Sequence, residues 1–355
     1  MARLEDVCDK ASSNIAQKDL EGNEGKYPIF GASGFIKNVD FYKQEKEYIA
    51  IVKDGAGVGR TMLLPAKSSV IGTMQYIIPK ENIDTRFLCH VIEWMDLGKY
   101  CTGATIPHIY FKDYKNEKFN LPDLVEQRKI ADKIEKVDEL IFCRKEQLAK
   151  LDKLVKARFV EMFGDPKYNG SNLVKIEEIG TLTSGGTPSR AKPEYFEGDI
   201  RWYSAGELNS LYLPDSVEHI SETALQQSSA KLFKKGTLMI GMYDTAAFKM
   251  GILTEESSSN QACANLNPKQ GYNIVWLYYL FDIMKPIFLQ ERQGVRQKNL
   301  SLSKIKEFEV PFAPFELQER FAAFVEQTDK TKAEVQKSLD ELETLKKSLM
   351  QKYFG

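Results

Sequence analysis

A glycine-rich run directly after an apolar segment is the first feature that could do chemistry. Residues 54–60 read Asp-Gly-Ala-Gly-Val-Gly-Arg and follow the strand-like residues 47–52. Such loops bind phosphates when a helix follows, because the loop amides and the helix N-terminus then face the anion. Here residues 61–65 read Thr-Met-Leu-Leu-Pro, which predicts another strand and a turn. The run is interpreted as a turn, and a nucleotide or cofactor site is the less favoured alternative.

A second glycine run, residues 184–190, reads Ser-Gly-Gly-Thr-Pro-Ser-Arg. Its exposed amides and Arg190 could bind a phosphate group. The same residues are equally typical of a tight turn in which the glycines adopt positive φ and Pro188 fixes the exit. The two interpretations are compatible, and the sequence does not separate them.

Metal-binding residues lack the required spacing. His90 and His219 are isolated, and the five cysteines form no C-x-x-C pair. We therefore predict no metal site and reduced cysteines, at Cys8, Cys89, Cys101, Cys143 and Cys263.

Length and composition indicate two ordinary domains. The chain has 355 residues, 43% of them hydrophobic, and a formal net charge of −1. This length suits two cores of about 120–150 residues each. There is no apolar stretch of about 18 residues and no leader-like start, so a soluble, cytoplasmic protein is expected. The near-zero charge leaves nucleic-acid binding open, because phosphate affinity depends on local Lys and Arg.

The elements that must position these loops occur twice. Residues 119–122, Phe-Asn-Leu-Pro, precede Gln127 and a charged segment ending at residues 163–164, Phe-Gly. The pattern returns as residues 308–311, Phe-Glu-Val-Pro, then Gln318 and a segment ending at residues 354–355. From Gln127 and Gln318 onward the two segments keep one register, in which Leu151 corresponds to Leu342 and Phe163 to Phe354. Two copies in one chain imply a pseudo-twofold internal repeat.

Both repeated segments have the apolar spacing of a coiled coil. In the first, the seam positions are Ile134, Val137, Ile141, Leu148, Leu151, Val155 and Met162, interrupted by Arg144 and Arg158. In the second they are Phe321, Val325, Thr328, Val335, Leu339, Leu342, Leu349 and Tyr353, with Lys332 and Lys346 in the seam. A helix of about 35 residues spans roughly 50 Å, so we expect the two helices to pack antiparallel on each other. Binding of each helix to a separate protein is the alternative.

The globular segments combine short strands and helices. Residues 47–52, 75–78 and 237–240 are strand candidates, and residues 86–99 and 275–286 are helix candidates, the latter ended by Pro286. The predicted class is α+β, with two globular domains separated by two long antiparallel coiled-coil helices. The predicted boundaries are 1–122 for the first domain, 123–164 for the central helix, 165–313 for the second domain and 314–355 for the C-terminal helix.

Several motifs resemble those of one family. Residues 184–190 and the following residues 193–202, Pro-Glu-Tyr-Phe-Glu-Gly-Asp-Ile-Arg-Trp, resemble the opening of a target recognition domain in specificity subunits of type I restriction–modification systems. Residues 27–34, Tyr-Pro-Ile-Phe-Gly-Ala-Ser-Gly, resemble the alternative opening of many first domains of that family. The resemblance covers nearly the whole chain, and the order domain, helix, domain, helix is more specific than any single motif.

The resemblance implies a non-catalytic reader of double-stranded DNA. In the family, each recognition domain reads one half of a split, asymmetric site, and the helices set the gap between the halves. Two modification subunits methylate adenine N6 with S-adenosylmethionine, and restriction subunits add ATP- and Mg-dependent translocation and cleavage. In this chain the Asn/Asp-Pro-Pro-aromatic motif of the methyltransferases is absent. We therefore predict no catalytic residue and no cofactor of its own.

The candidate DNA contacts lie in two kinds of place: the loops just before the long helices, and the glycine-rich runs with the residues that follow them. Arginine suits guanine, and Asn or Gln suits adenine. For His108 alone, a structural role is the favoured interpretation. The full set of predicted DNA-binding residues is Arg60, His108, Tyr110, Lys112, Arg190, Lys192, Arg201, Arg296, Gln297, Lys298 and Asn299.

Two other classes of protein remain as alternatives. One is a coiled-coil scaffold that joins other proteins, and the weaker one is a self-sufficient methyltransferase or nuclease. Recovery of a DNA methyltransferase chain on co-purification would separate the specificity subunit from the scaffold.

Overall fold

The computed structural model describes residues 1–103, 106–168, 172–292 and 299–355. The chain divides into two compact units. The first unit comprises residues 1–146 and 336–355, and the second comprises residues 147–335. This division cuts through both long helices, so the domain boundaries expected from the sequence stay a prediction. None of the described helices is long and apolar enough to cross a membrane.

The first unit consists of short strands and helices that precede a long helix. Its strands are β1 (Ala2–Arg3), β2 (Cys8–Ser12), β3 (Tyr27–Gly31), β4 (Gly34–Val39), β5 (Tyr48–Val52), β6 (Thr61–Leu64), β7 (Ser69–Val70), β8 (Met74–Pro79) and β9 (Lys118–Phe119). Its helices are α1 (Leu4–Val7), α2 (Thr85–Trp94) and α3 (Phe111–Tyr114), and the central helix α4 (Leu124–Phe163) begins here. The strands form a four-stranded sheet in the order β2-β8-β5-β6, a three-stranded sheet β4-β3-β7 and the pair β1-β9.

The second unit has the same kinds of element. Its strands are β10 (Leu173–Lys175), β11 (Gly180–Ser184), β12 (Ile200–Tyr203), β13 (Glu218–Ile220), β14 (Leu238–Gly241), β15 (Met250–Ile252), β16 (Ser258–Ser259), β17 (Cys263–Pro268) and β18 (Glu309–Pro311). Its helices are α5 (Ile176–Ile179), α6 (Glu222–Gln227), α7 (Ile274–Phe288) and α8 (Leu302–Glu307), and the C-terminal helix α9 (Phe315–Phe354) begins here. The sheets are β11-β17-β14-β15 and β13-β12-β16, with the pair β10-β18.

The two units repeat one topology. The strand orders correspond one to one, and even the parallel pairs β3-β7 and β12-β16 have the same place. In the central strands, the pair Ala50 and Tyr76 corresponds to the pair Met239 and Asn265, so corresponding residues differ in number by 239 − 50 = 189. We call this correspondence the central-strand alignment. The α+β class and the internal repeat expected from the sequence are confirmed.

Each unit builds its largest apolar core from the four-stranded sheet, one helix beside it and parts of both long helices. In the first unit, Phe87 of α2 packs with Ile134 of α4 and Phe354 of α9. In the second unit, Trp276 of α7 packs with Phe159 of α4 and Phe321 of α9. The apolar seam of the long helices therefore packs against the sheet and its neighbouring helix as well as against the other long helix. The sequence led us to expect that the two long helices bury this seam on each other alone.

The long helices run antiparallel within each unit. In the first unit, Asp138 lies 2.7 Å from the Nζ of Lys346, and further along α4 Lys145 lies 3.0 Å from Glu343. In the second unit, Lys332 Nζ lies 2.6 Å from Asp152. Each seam lysine thus meets an aspartate of the other helix, which compensates for placing its charge among apolar residues.

A buried glutamine at the start of each long helix makes the same contacts in both units. Gln127 Oε1 accepts from the Asp84 amide at 2.8 Å, and its Nε2 donates to the Pro122 carbonyl at 2.8 Å. Gln318 accepts from the Asn273 amide at 2.8 Å and donates to the Ala313 carbonyl at 2.7 Å. Asp84 and Asn273 are the N-caps of α2 and α7, so each glutamine joins a long helix to the helix beside the sheet.

Two helix boundaries differ from those expected. The helix expected over residues 86–99 ends at Trp94, because Asp96 adopts a left-handed conformation (φ 45°) before a 3-10 turn at Leu97–Tyr100. The prediction that Pro286 ends its helix is wrong, since α7 continues to Phe288. A proline in the last turn removes only one hydrogen bond of the helix, which the apolar packing of α7 tolerates.

Candidate nucleic-acid interface

Three loops meet at one end of the first unit. They are the β5-β6 hairpin (residues 53–60), the turn between β3 and β4 (residues 32–33) and the segment of residues 102–110, described except at 104–105. Arg60 Nη1 donates to the Ala32 carbonyl at 2.9 Å, which joins the hairpin to the turn. The amide of Gly55 donates to the Pro107 carbonyl at 2.9 Å, which joins the hairpin to the segment. We call this arrangement the first loop cluster.

The second unit builds the same cluster from different residues. Its parts are the β14-β15 hairpin (residues 242–249), the segment after β12 (residues 204–209) and residues 299–300. Lys249 Nζ donates to the Gly206 carbonyl at 3.3 Å, and the Asp244 amide donates to Asn299 Oδ1 at 3.0 Å. The Leu300 amide donates to the Met242 carbonyl at 2.8 Å. This is the second loop cluster.

The two hairpins share positive φ at two corresponding positions and differ between them, where Gly57 has φ of 88° and the corresponding Ala246 lies in a 3-10 turn. Gly55 and Asp244 have φ of 83° and 47°, and Gly59 and Phe248 have φ of 89° and 54°. Both pairs of positions correspond in the central-strand alignment, and non-glycine residues rarely adopt this conformation. The glycine-rich run is therefore a β-hairpin, as expected, and β6 follows it rather than a helix.

The residues predicted around His108 divide into a buried contact and an exposed pair. The His108 ring contacts the Asp54 carboxylate through Nδ1, and its Nε2 is buried. Tyr110 is 50% exposed, and Lys112 Nζ lies 5.1 Å from its ring centroid. His108 thus holds the hairpin, as the structural interpretation expected, while Tyr110 and Lys112 are open to a partner. Asn299 of the second loop cluster also holds a hairpin, but by a different bond, because its Oδ1 accepts from the Asp244 backbone amide.

The cations predicted at the three-stranded sheet of the second unit already have partners. Arg190 makes a two-pronged contact with Glu218, with Nη2 to Oε2 at 2.7 Å, and stacks 4.2 Å from the Phe196 ring centroid. This contact holds the pKa of the Glu218 carboxyl below its ordinary value. Arg201 Nε lies 2.8 Å from both Asp215 and Glu255. To contact a phosphate, either arginine would have to leave its carboxylate partner or contact both anions at once.

The remaining predicted residues are placed differently. Lys192 is exposed and donates to the Tyr195 hydroxyl at 2.8 Å. Arg296, Gln297 and Lys298 lie outside the described residues. Sequence reasoning missed Lys249 and the exposed Tyr243, both on the second hairpin. The central-strand alignment would have found Lys249, since it pairs this lysine with Arg60.

The glycines of residues 184–190 are required for close packing. Neither Gly185 nor Gly186 has positive φ, so that part of the turn interpretation is wrong. A Cβ on Gly185 would lie 2.3 Å from the Ser259 carbonyl oxygen, and one on Gly186 would lie 1.9 Å from that of Ser229. These residues fit only without a side chain. Across the described ranges, no group of three His, Cys, Asp or Glu side chains is placed to bind a metal ion.

The family model of the type I restriction modification DNA specificity domain matches residues 1–153 and 168–344. The MjaIX specificity subunit of Methanocaldococcus jannaschii is 29% identical over 185 residues, 51% of this chain and 43% of that protein. The Escherichia coli EcoR124I/EcoR124II specificity subunit is 23% identical over 163 residues, 43% of this chain and 40% of that protein. These two alignments span less than half of the relatives' own lengths. A putative type I specificity subunit of Mycoplasma pneumoniae is 22% identical over 334 residues, 90% of this chain and 86% of that protein.

Solved structures show the same fold. The type I restriction–modification S subunit from M. genitalium superposes with a TM-score of 0.63 at 18% identity, covering 100% of this chain and 95% of that one. A chain from a structural study of assembly and conformational transition in the type I system gives 0.60 at 17% identity, covering 99% and 96%. With the family model matching both halves, the chain belongs to the type I restriction–modification DNA specificity family.

Proposed function

We propose that this chain is the non-catalytic DNA specificity subunit of a type I restriction–modification system. Each unit reads one short half of a split, asymmetric site in double-stranded DNA, and the two long helices set the gap. The family match favours this function over a coiled-coil scaffold.

The repeated loop cluster is the observation that carries the proposal. In both clusters a cation of the hairpin donates to a carbonyl of the neighbouring loop, and a backbone amide of the later segment, Ile109 or Leu300, donates to the hairpin, yet the side chains differ. Arg60 in the first corresponds to Lys249 in the second, and His108 corresponds to Asn299. Side chains that reach the DNA groove determine which bases are recognised. Two loop clusters of similar arrangement but different side chains therefore suit two units that recognise different half-site sequences.

We assign different roles to the residues of the clusters. In the first, Tyr110 and Lys112 are exposed and lie beside the hairpin, so they are the groups that contact DNA. In the second, exposed Tyr243 has the corresponding role, together with Arg296, Gln297 and Lys298, which stay predicted base contacts. His108 and Asn299 position the hairpins. Arg60 and Lys249 each donate to one carbonyl and retain further donor hydrogens for a phosphate.

The partners follow from the specificity role. Two modification subunits would bind the chain and methylate adenine N6 with S-adenosylmethionine, and restriction subunits would supply ATP- and Mg-dependent cleavage. These cofactors belong to the partners, and the assembly acts in the cytoplasm, where it meets DNA.

Reconstitution tests this function. The purified chain, its modification subunit and S-adenosylmethionine should methylate adenines of duplex DNA at one split sequence, whereas the chain alone should transfer no methyl group. Methyl transfer by the chain alone, with contaminating enzyme excluded, would contradict the non-catalytic role. Methylation of the same sites by the modification subunit without the chain would contradict the specificity role.

A further inference from the structure

The units differ in what lies on one face of the four-stranded sheet. Tyr48 and Tyr76 of the first unit occupy the places of Thr237 and Asn265 in the second, according to the central-strand alignment. Two large aromatic residues in one unit are thus replaced by two small polar residues in the other.

In the first unit the aromatic pair fills the interior. Tyr48 and Tyr76 are 0% and 2% exposed, and their ring centroids are 5.2 Å apart. The Tyr48 hydroxyl accepts from Ser68 Oγ at 3.0 Å, and the Tyr76 hydroxyl accepts from the Val70 amide at 3.1 Å. Packing and hydrogen bonding are both satisfied at this place.

In the second unit the same place is an open pocket of about 430 Å³. Thr237 and Asn265 line it, each only 1% exposed, with Thr181, Asn267, Lys231 and Lys234 around them. No group among the described residues hydrogen-bonds the Thr237 hydroxyl. A buried hydroxyl without a partner is unfavourable, so the floor of this pocket suits a ligand that can form hydrogen bonds.

The charge of the pocket favours an anion. Lys231 and Lys234 are exposed, and no Asp or Glu is among the described residues that line it. Lys231 Nζ donates to the Ser184 carbonyl at 3.0 Å and keeps two donor hydrogens free.

The Asn265 amide already donates to the Thr183 and Cys263 carbonyls and to Ser259, so the donors open to a ligand include the Thr237 hydroxyl, the exposed Asn267 amide and the two lysines. Proteins use such hydroxyl, amide and ammonium donors for phosphate oxygens.

We propose that this pocket of the second unit is a phosphate-binding site without a counterpart at the equivalent place in the first unit. The phosphate is carried either by the DNA backbone or by a free phosphate compound. The DNA-backbone form rests on the proposed function, and the free form does not.

The DNA form is tested by salt dependence. With the modification subunit present, the affinity for a duplex carrying the methylated site is measured at several salt concentrations for the wild type and for Lys231→Ala/Lys234→Ala. Log affinity falls with log salt, and each lysine that neutralises a phosphate adds about 1 to the steepness of that fall. The double variant should therefore show a shallower slope than the wild type, by about 1 for each of the two lysines that contacts a phosphate. The half-site sequences should stay unchanged. Lys235→Ala, an exposed neighbour outside the pocket, is the matched control and should keep the wild-type slope.

The free form is tested on the chain alone. Inorganic pyrophosphate, at ionic strength matched with chloride, should raise the Tm of the wild type and of Lys235→Ala more than that of the double variant. A pyrophosphate effect with an unchanged DNA slope assigns the pocket to a free compound, and a changed slope assigns it to the DNA backbone.

Two results would overturn the site. The first is equal behaviour of the double variant and the wild type in both measurements. The second is a changed sequence preference in one half-site, which would make the pocket a base reader. If the wild type shows no sequence-specific DNA binding at all, the proposed function fails, while the pyrophosphate measurement still decides the pocket.

Discussion

Replacing the buried glutamine of either long helix should destabilise that unit and leave the other nearly unchanged. Gln127 and Gln318 are 1% and 0% exposed. In Gln127→Ala the Asp84 amide is deprived of its 2.8 Å acceptor, and the Pro122 and Asn82 carbonyls are deprived of donors at 2.8 Å and 3.3 Å. An unpaired buried group costs about 1–3 kcal/mol. A water molecule can occupy the space that the shorter alanine leaves and pair with part of these groups, so we expect a decrease of about 2 kcal/mol in the free energy of unfolding.

Hydrogen exchange followed by mass spectrometry locates the effect. Gln127→Ala should speed exchange in α2 and leave α7 unchanged, and Gln318→Ala should do the reverse. Gln336→Ala is the matched control, because its exposed amide donates to Asp340 of the same helix at 2.8 Å and to no other described residue. This variant should change stability by less than about 0.5 kcal/mol. Two results would refute the assignment of Gln127 to the contact between α4 and α2 and of Gln318 to the contact between α9 and α7. One is an equal change of exchange in α2 and α7, and the other is a decrease in stability no larger than that of the control.

Two further predictions concern the helices and the cysteines. Asp138→Lys places a second cation beside Lys346 and should lower the unfolding free energy by about 1 kcal/mol or more. Adding Lys346→Asp should recover part of that stability in a double-mutant cycle, and no recovery would mean the pair does not contribute. Burial raises the pKa of the Cys263 thiol to about 12, so iodoacetamide at pH 8 should spare it while modifying the exposed Cys101 and Cys143. Peptide mass spectrometry of the folded chain reads this out, and early modification of Cys263 would contradict its burial.

Much of the fold could be predicted because it depends on periodic patterns. The seam from Ile134 to Met162 and its repeat from Phe321 to Tyr353 predicted the two long helices, and α4 and α9 confirm them. Strands such as Tyr48–Val52 are continuous apolar runs buried on both faces, which are visible in sequence. The end of α2 was missed because the left-handed Asp96 follows no residue pattern that marks a stop.

The candidate site was less predictable, because its geometry depends on contacts between segments far apart in the chain. Residue type and position suggest a DNA contact for Asn299 and favour a structural role for His108, but the hairpin that each supports follows only from the distant Asp244 and Asp54. The ion pair of Arg190 with Glu218 joins residues that are 28 positions apart in the chain, so no local sequence pattern predicts it. The sequence analysis did not predict Lys249. The register that aligns the two long helices differs from the central-strand alignment, and only the latter pairs Lys249 with Arg60.

Mapping methylated adenines in DNA from cells that express the chain with its modification subunit tests the central claim most directly. The wild type should modify one split sequence, two defined halves separated by a gap of constant length. Lys112→Ala should alter or weaken recognition of one half only, and Tyr243→Ala that of the other, by about 1–3 kcal/mol for each base that is no longer bound. Changes in both halves from either substitution, or a wild-type site without a gap, would contradict the reading of one half-site by each unit.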